Sequence, residues 1–184
     1  MRFESTKNYL TPEECAQLNG VTQYGYDNGQ MTLGVRTTLR YTSRIDPELY
    51  TYPQGVFDLA TRVRAYCGVA NYPVINNQGA TGIVTNYMPT NADIFPYQAW
   101  QNPTDNAAQF WAFIVTQAPE SGGVLQINGY EYPVEAGELF CYLTSEVRQY
   151  TTPVFGPTTR ICWMFGNWVP AQDWENGTII YGGA

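Results

Sequence analysis

A chain that contains no histidine has few starting points for chemistry. Among its 184 residues none is histidine, which removes the usual general base and a common metal ligand. Ser-His and Cys-His nucleophile pairs are thereby excluded. No glycine-rich phosphate loop with a following lysine occurs. Asp93, Asp105 and Glu120 remain as acid–base candidates. Glycoside cleavage needs two carboxylates across one bond, and nothing in their spacing pairs them. Asp93 and Asp105 bracket an aromatic stretch, where they either recruit a hard cation or stand as loop-surface carboxylates. Cys15, Cys67, Cys141 and Cys162 lack C-x-x-C spacing and sit in apolar patterns. They read as buried free thiols in a reducing compartment. The other reactive-looking groups are Arg160 and the aromatics Phe95, Tyr97 and Trp100.

Charge narrows the partners. The net charge is −7, and the nine basic residues form no run, so a nucleic-acid surface is not expected. No apolar run is long enough to span a bilayer. The opening MRFESTKNYL has no signal-peptide core, so the expected location is the cytoplasm in which the chain is made. Fifteen tyrosines outnumber the basic residues. Such a surface recognises partners through hydrogen bonds and flat aromatic contact, although many of these rings simply finish strand faces.

The elements that must position these groups can be read in order. Residues 8–20 are expected to be helical, with Thr11 as N-cap, Pro12 at the first helical position and Glu14 completing a capping box. Cys15 and Leu18 start its apolar face, and Gly20 is expected to end it. Residues 21–35 read as a loop or hairpin with a turn at Asp27-Asn28-Gly29. A strand is expected over Val35–Thr42, with Arg36 and Arg40 on one face. Val56, Leu59, Ala60, Val63 and Cys67 recur at helical spacing, which predicts a second helix over 55–67, stopped by Gly68. Thr81–Met88 reads as a strand with Ile83, Thr85 and Tyr87 on one face. Residues 89–108 read as a long functional loop. Phe110–Gln117 is a buried strand. Strands then follow closely, with a type I′ turn at Asn128-Gly129 and later runs at Glu138–Leu143, Val147–Val154 and Arg160–Trp168. In the tail, Ile179–Tyr181 is expected to pair on a sheet edge. Such spacing leaves no room for helices and predicts one domain over 1–184, an antiparallel sandwich or barrel.

Several phrases resemble the iron(II)/2-oxoglutarate dioxygenases of the prolyl-4-hydroxylase-like kind. Gly122-Gly123 is similar to the family's GG-x-L hairpin. Gly137-Glu138-Leu139-Phe140 is similar to the strand before its distal iron-binding histidine, and Thr152-Pro153-Val154 to the segment after it. Leu10 to Cys15 is similar to its opening helix. The resemblance implies a mainly β fold, a double-stranded β-helix (jelly roll) over 80–168 with two supporting N-terminal helices. It also implies that Arg160, with Tyr87 nearby, holds the distal carboxylate of 2-oxoglutarate. The family's HxD pair falls on Tyr97 and Ala99, and its later histidine on Gln149. None of these supplies an iron site, so no cofactor and no turnover are expected. Arg160 is then expected either to keep a carboxylate ligand or to pair with Glu138 or Glu146.

The resulting expectation is a non-catalytic, oxygenase-like scaffold used for binding or assembly. Relatives of this style occur in tailed phages and cyanophages. By that likeness the chain is expected in a bacteriophage virion, as a capsid or tail part present in multiple copies beside other virion proteins. Phe95, Tyr97 and Trp100 would form the interface. One alternative is an iron/2-oxoglutarate oxygenase, or a 2-oxoglutarate sensor, with an atypical site. Another is a carbohydrate-binding module stacking sugars on Tyr97, Trp100 and Trp111.

Overall fold

A computed structural model describes residues 1–77, 79–100 and 106–183. The chain opens with strand β1 (Glu4–Thr6), helix α1 (Pro12–Asp27) and the short strands β2 (Thr32–Leu33), β3 (Thr37–Thr38) and β4 (Tyr41–Arg44). Helix α2 (Gln54–Tyr66) precedes β5 (Ile83–Met88), β6 (Asp93–Tyr97) and the long β7 (Ala107–Gln117). Next come β8 (Ser121–Gly122), β9 (Leu125–Ile127), β10 (Tyr130–Tyr132), β11 (Leu139–Leu143), β12 (Gln149–Thr151) and β13 (Val154–Phe155). The 11-residue β14 (Arg160–Pro170) leads into α3 (Ala171–Glu175).

Two sheets face each other. The larger has seven strands in the order β1-β11-β7-β14-β5-β4-β2, and the smaller has five, β10-β9-β12-β6-β3. A short β13-β8 pair closes one end. All strand pairs run antiparallel. This is the jelly-roll architecture that the resemblance implies, and one form of the antiparallel sandwich or barrel that the strand spacing predicts.

The central strands of the large sheet, β11, β7, β14 and β5, are buried on both faces, so they are rich in apolar residues along most of their length. Phe110, Ala112 and Ile114 of β7 point to one core, with Trp163 and Phe165 of β14 and the apolar sides of α1 and α2. Trp111, Phe113 and Val115 point the other way, with Phe140, Tyr142 and Cys162, into the space between the sheets. The period of two in side-chain direction thus divides one strand between two cores. All four cysteines are buried and free, as expected.

Four expectations about elements need correction. Helix α1 does not stop at Gly20 but runs to Asp27, ending at Asn28 and the left-handed Gly29. A mid-helix glycine costs about 1 kcal/mol against alanine. Packing beyond it outweighs that cost: Thr22 bonds Thr85 at 2.8 Å, and Tyr26 stacks on Tyr87 at 4.0 Å. The expected strand over Val35–Thr42 is broken by Arg36 and Leu39, whose φ values of 56° and 52° are left-handed. The stretch 89–108 is not all loop, because Asp93–Tyr97 forms β6, pairing with both β12 and β3. Ile179–Tyr181 forms no strand. Ile179 is buried in the core, and the Tyr181 hydroxyl meets Thr6 Oγ1 at 2.7 Å. The type I′ turn is as expected, with positive φ at both Asn128 (51°) and Gly129 (87°).

Candidate functional site

The inter-sheet space narrows to a small cavity where β12 and β6 cross the inner faces of β5 and β14. Antiparallel register sets Gln149 opposite Tyr97. From the facing sheet, Arg160 pairs with Met88 and Cys162 with Asn86. Tyr142 projects inward from β11. Arg40, Tyr97, Tyr142, Gln149, Arg160 and Cys162 line the space between them, which amounts to about 30 Å³. That is room for about one water molecule. Two expected positions, Tyr97 and Gln149, are therefore brought together.

The polar contacts are sparse. Tyr142 is fully buried and donates to Gln149 Oε1 at 2.5 Å. Gln149 Nε2 is buried without a partner. Burial holds the Tyr142 hydroxyl well above its usual pKa. Burial also raises Tyr97, against the pull of the Arg40 cation beside it and their mutual hydrogen bond. Burial pushes Cys162 up as well, opposed by Arg160. Arg160 is only 6% exposed, and its hydrogen-bond acceptor is Met88 Sδ at 3.8 Å. It pairs with neither Glu138 nor Glu146, contrary to one expectation. Glu138 instead accepts from Glu135 N at 3.1 Å, and Ser145 Oγ lies 3.5 Å from Glu146.

Other expected residues lie elsewhere. Tyr87 belongs to the helix-side core, stacked on Tyr26, and does not face the cavity. Its neighbour Asn86 lines the cavity instead. Strand alternation explains the miss, since one step along β5 reverses the face. Ala99 lines a cleft of about 270 Å³ at the mouth, and its N–H donates to Thr144 O at 3.1 Å. Arg36, Arg40, Tyr97, Trp100 and Gln109 border the same cleft. Phe95 and Trp100 are exposed, at 45% and 58%, and Trp100 meets Trp168 edge-on at 6.0 Å. Trp111 is no sugar platform. It is 3% exposed, its ring packs against Gly166, and its Nε1 donates to Gln109 Oε1 at 3.1 Å. Asp93 Oδ1 accepts from Thr38 N at 3.0 Å, and Glu120 is engaged by the backbone and hydroxyl of Thr158. Asp105 lies outside the described residues.

The donor set does not fit the iron that this fold implies. Ferrous iron in such sites takes imidazole and carboxylate ligands. Here the candidates are a tyrosine that burial keeps protonated, an amide oxygen already bonded to Tyr142, and a methyl group. Arg40 and Arg160 also line the cavity and would repel a cation. Among the described residues no group of three or more metal-ligating side chains occurs, and no helix is long and apolar enough to cross a membrane. Sequence reading missed Arg40 and Tyr142 as cavity walls. The signal for Tyr142 was its place two residues after Phe140 in an alternating strand. The signal for Arg40 was its spacing from Arg36.

No protein-family profile matches the sequence, and no curated protein matches it. Solved structures do. A prolyl-4-hydroxylase from Pseudomonas putida superposes with a TM-score of 0.66 at 16% identity, over 90% of this chain and 91% of that one. The viral collagen prolyl hydroxylase of Paramecium bursaria Chlorella virus-1, solved with 2-oxoglutarate, gives 0.62 at 11% identity, over 92% and 97%. At such identities the likeness is one of fold: the chain is a double-stranded β-helix.

Proposed function

We propose that this chain is an oxygenase-like jelly roll that works by binding and does not turn over 2-oxoglutarate. One observation carries the reading. Tyr97, Tyr142 and Gln149 fill the barrel interior and leave about 30 Å³, too little for a five-carbon diacid beside them. Function then moves outward, to Trp100 on the mouth cleft and to the exposed Phe95 on β6. Burying one such ring in a partner's pocket contributes about 2 kcal/mol. A contact surface on a larger assembly, a virion being the expected one, is the use we assign to it. The test is a Phe95→Ala/Trp100→Ala double variant, followed through particle purification or pull-down. A folded variant that still incorporates normally removes the mouth from the interface. A wild-type protein found in no complex removes the assembly reading.

A second reading is favoured by specific observations. Two structural neighbours are named as prolyl hydroxylases, and Arg160 is buried with no carboxylate partner among the described residues. An oxygenase or 2-oxoglutarate sensor with an atypical site keeps that arginine for its ligand and must swing Tyr97 outward to admit it. Anaerobic titration with Fe(II) and 2-oxoglutarate separates the two. The binding reading expects no charge-transfer band and no succinate above a buffer control.

A further inference from the structure

Nine basic residues serve the whole chain, and their partners divide them. Arg2, Lys7 and Arg62 hold Glu4, Glu135 and Glu14. Arg64 donates to Asn167 and to the Thr81 carbonyl. Arg36, Arg40 and Arg44 pair with no carboxylate among the described residues, yet they line one hollow of about 390 Å³ beside the barrel mouth. None of the described residues lining it is an Asp or Glu. The nearby Asp93 already accepts from Thr38 N. In a chain of net charge −7, three unpaired cations around one concavity are not what an evenly distributed surface gives.

The backbone builds this arrangement deliberately. Gly34 N donates to Arg40 O at 2.8 Å, and Thr37 Oγ1 donates to Gly34 O at 3.1 Å, which curls residues 34–40 into a tight loop. Arg36 sits in that loop at a left-handed φ of 56°, a conformation non-glycine residues adopt at a cost. Its carbonyl is pinned by Phe95 N at 2.9 Å. Arg40 shares a wall with Tyr97 between the outer hollow, the mouth cleft and the inner cavity. Its guanidinium shares a hydrogen bond with Tyr97, but its Nε is buried without a partner. Leaving a charged donor buried and unmet is unfavourable unless something else meets it.

We propose that this hollow is an anion site for a small ligand bearing a dianionic phosphate or dicarboxylate group. Arg40 grips the group from the floor, and Arg36 and Arg44 close on it from the rim. The planar guanidinium fork matches the paired oxygens of either group. The exposed Arg36 and Arg44 add attraction that salt screens. The site opens on the outer side of Arg40 and Tyr97, whose inner sides border the Arg160 cavity, and it does not depend on the mouth being a protein contact.

Calorimetric titration of the full chain with inorganic phosphate and with succinate tests this, with sodium chloride at matched ionic strength as control. Saturable binding of at least one dianion is expected. Arg40→Gln should weaken it about tenfold or more, and the Arg36→Gln/Arg44→Gln double change several-fold. Arg62→Gln should leave it unchanged. A preference for phosphate assigns a phosphorylated ligand, and one for succinate a dicarboxylic acid. The proposal is overturned if neither anion saturates, if chloride reproduces the effect, or if the double change leaves affinity intact. Should Arg40→Gln fail to fold, the exposed Arg36/Arg44 pair decides alone.

Discussion

Gln149 is held by one end only, and that makes it a sensitive probe of the barrel interior. Tyr142 supplies the bond to Oε1, while Nε2 has none. Tyr142→Phe removes the donor and leaves the amide unmet at both ends, so a loss of about 1–3 kcal/mol is expected. Replacing both partners by apolar groups, Tyr142→Phe with Gln149→Met, should recover part of it. Urea unfolding measures both, with an unchanged slope confirming that only stability moved. A second prediction concerns restoration of ligands. Tyr97→His, Ala99→Asp and Gln149→His would recreate the triad in sequence, but Ala99 borders the mouth cleft and not the inner cavity. The triple variant should therefore not retain Fe(II) through gel filtration, and stoichiometric iron after that step would contradict the geometry. Of these positions, Tyr97 and Gln149 were found through the family resemblance, which sets them at its metal-ligand positions, while the residues around Tyr97 by themselves read as loop. Tyr87 was misplaced because a one-residue error in phase sends a side chain to the opposite core. The isolation of Arg160 from Glu138 and Glu146 was not legible at all, since sequence distance says nothing about which strand faces which.

Helix α1 shows what local signals decide at the level of elements. Its start was legible because capping is local chemistry. Thr11 Oγ1 accepts from Glu14 N at 3.2 Å, and Glu14 Oε2 accepts from Thr11 N at 2.9 Å. Its end was not, because Thr22 and Tyr26 gain tertiary contacts that no local rule contains. Gly20 is exposed, and nothing lies within 4 Å of where its Cβ would stand. Gly20→Ala should thus stabilise the protein by up to about 1 kcal/mol, seen as a higher melting temperature. The cap also carries a pH signature. The Glu14 carboxyl is held below its usual pKa by the Thr11 N–H first, and then by Arg62. Its stabilising contribution is therefore full above the usual carboxylate range and fades as pH falls through the lower folded value. Glu14→Gln should flatten the acid limb of a stability–pH curve, and an unchanged limb would show the cap to be inert. The same limit of local reasoning explains β6. Pro96 and the polar flanks read as loop, while the strand's partners β12 and β3 lie far away in sequence.

At the level of the whole molecule, an antiparallel sandwich or barrel was legible from closely spaced short apolar runs without helical spacing, and the jelly roll from the family resemblance. What the sequence hid was how unequally the two sheets are made. The back sheet is centred on β7 and β14, each 11 residues long and paired over nearly their whole length. The front sheet consists of strands of two to five residues, and β12 shifts register where it meets β6. Cooperative opening follows hydrogen-bonded length and burial. Amide exchange should therefore be slowest along β7 and β14, close to the global limit, and orders of magnitude faster along β3, β6 and β12. The wall carrying Tyr97 and Gln149 can then open and reclose while the back sheet and both long helices stay folded. A bulky ligand that never fits the closed barrel would thus gain access through sub-global opening, at a rate set by the front sheet's own stability.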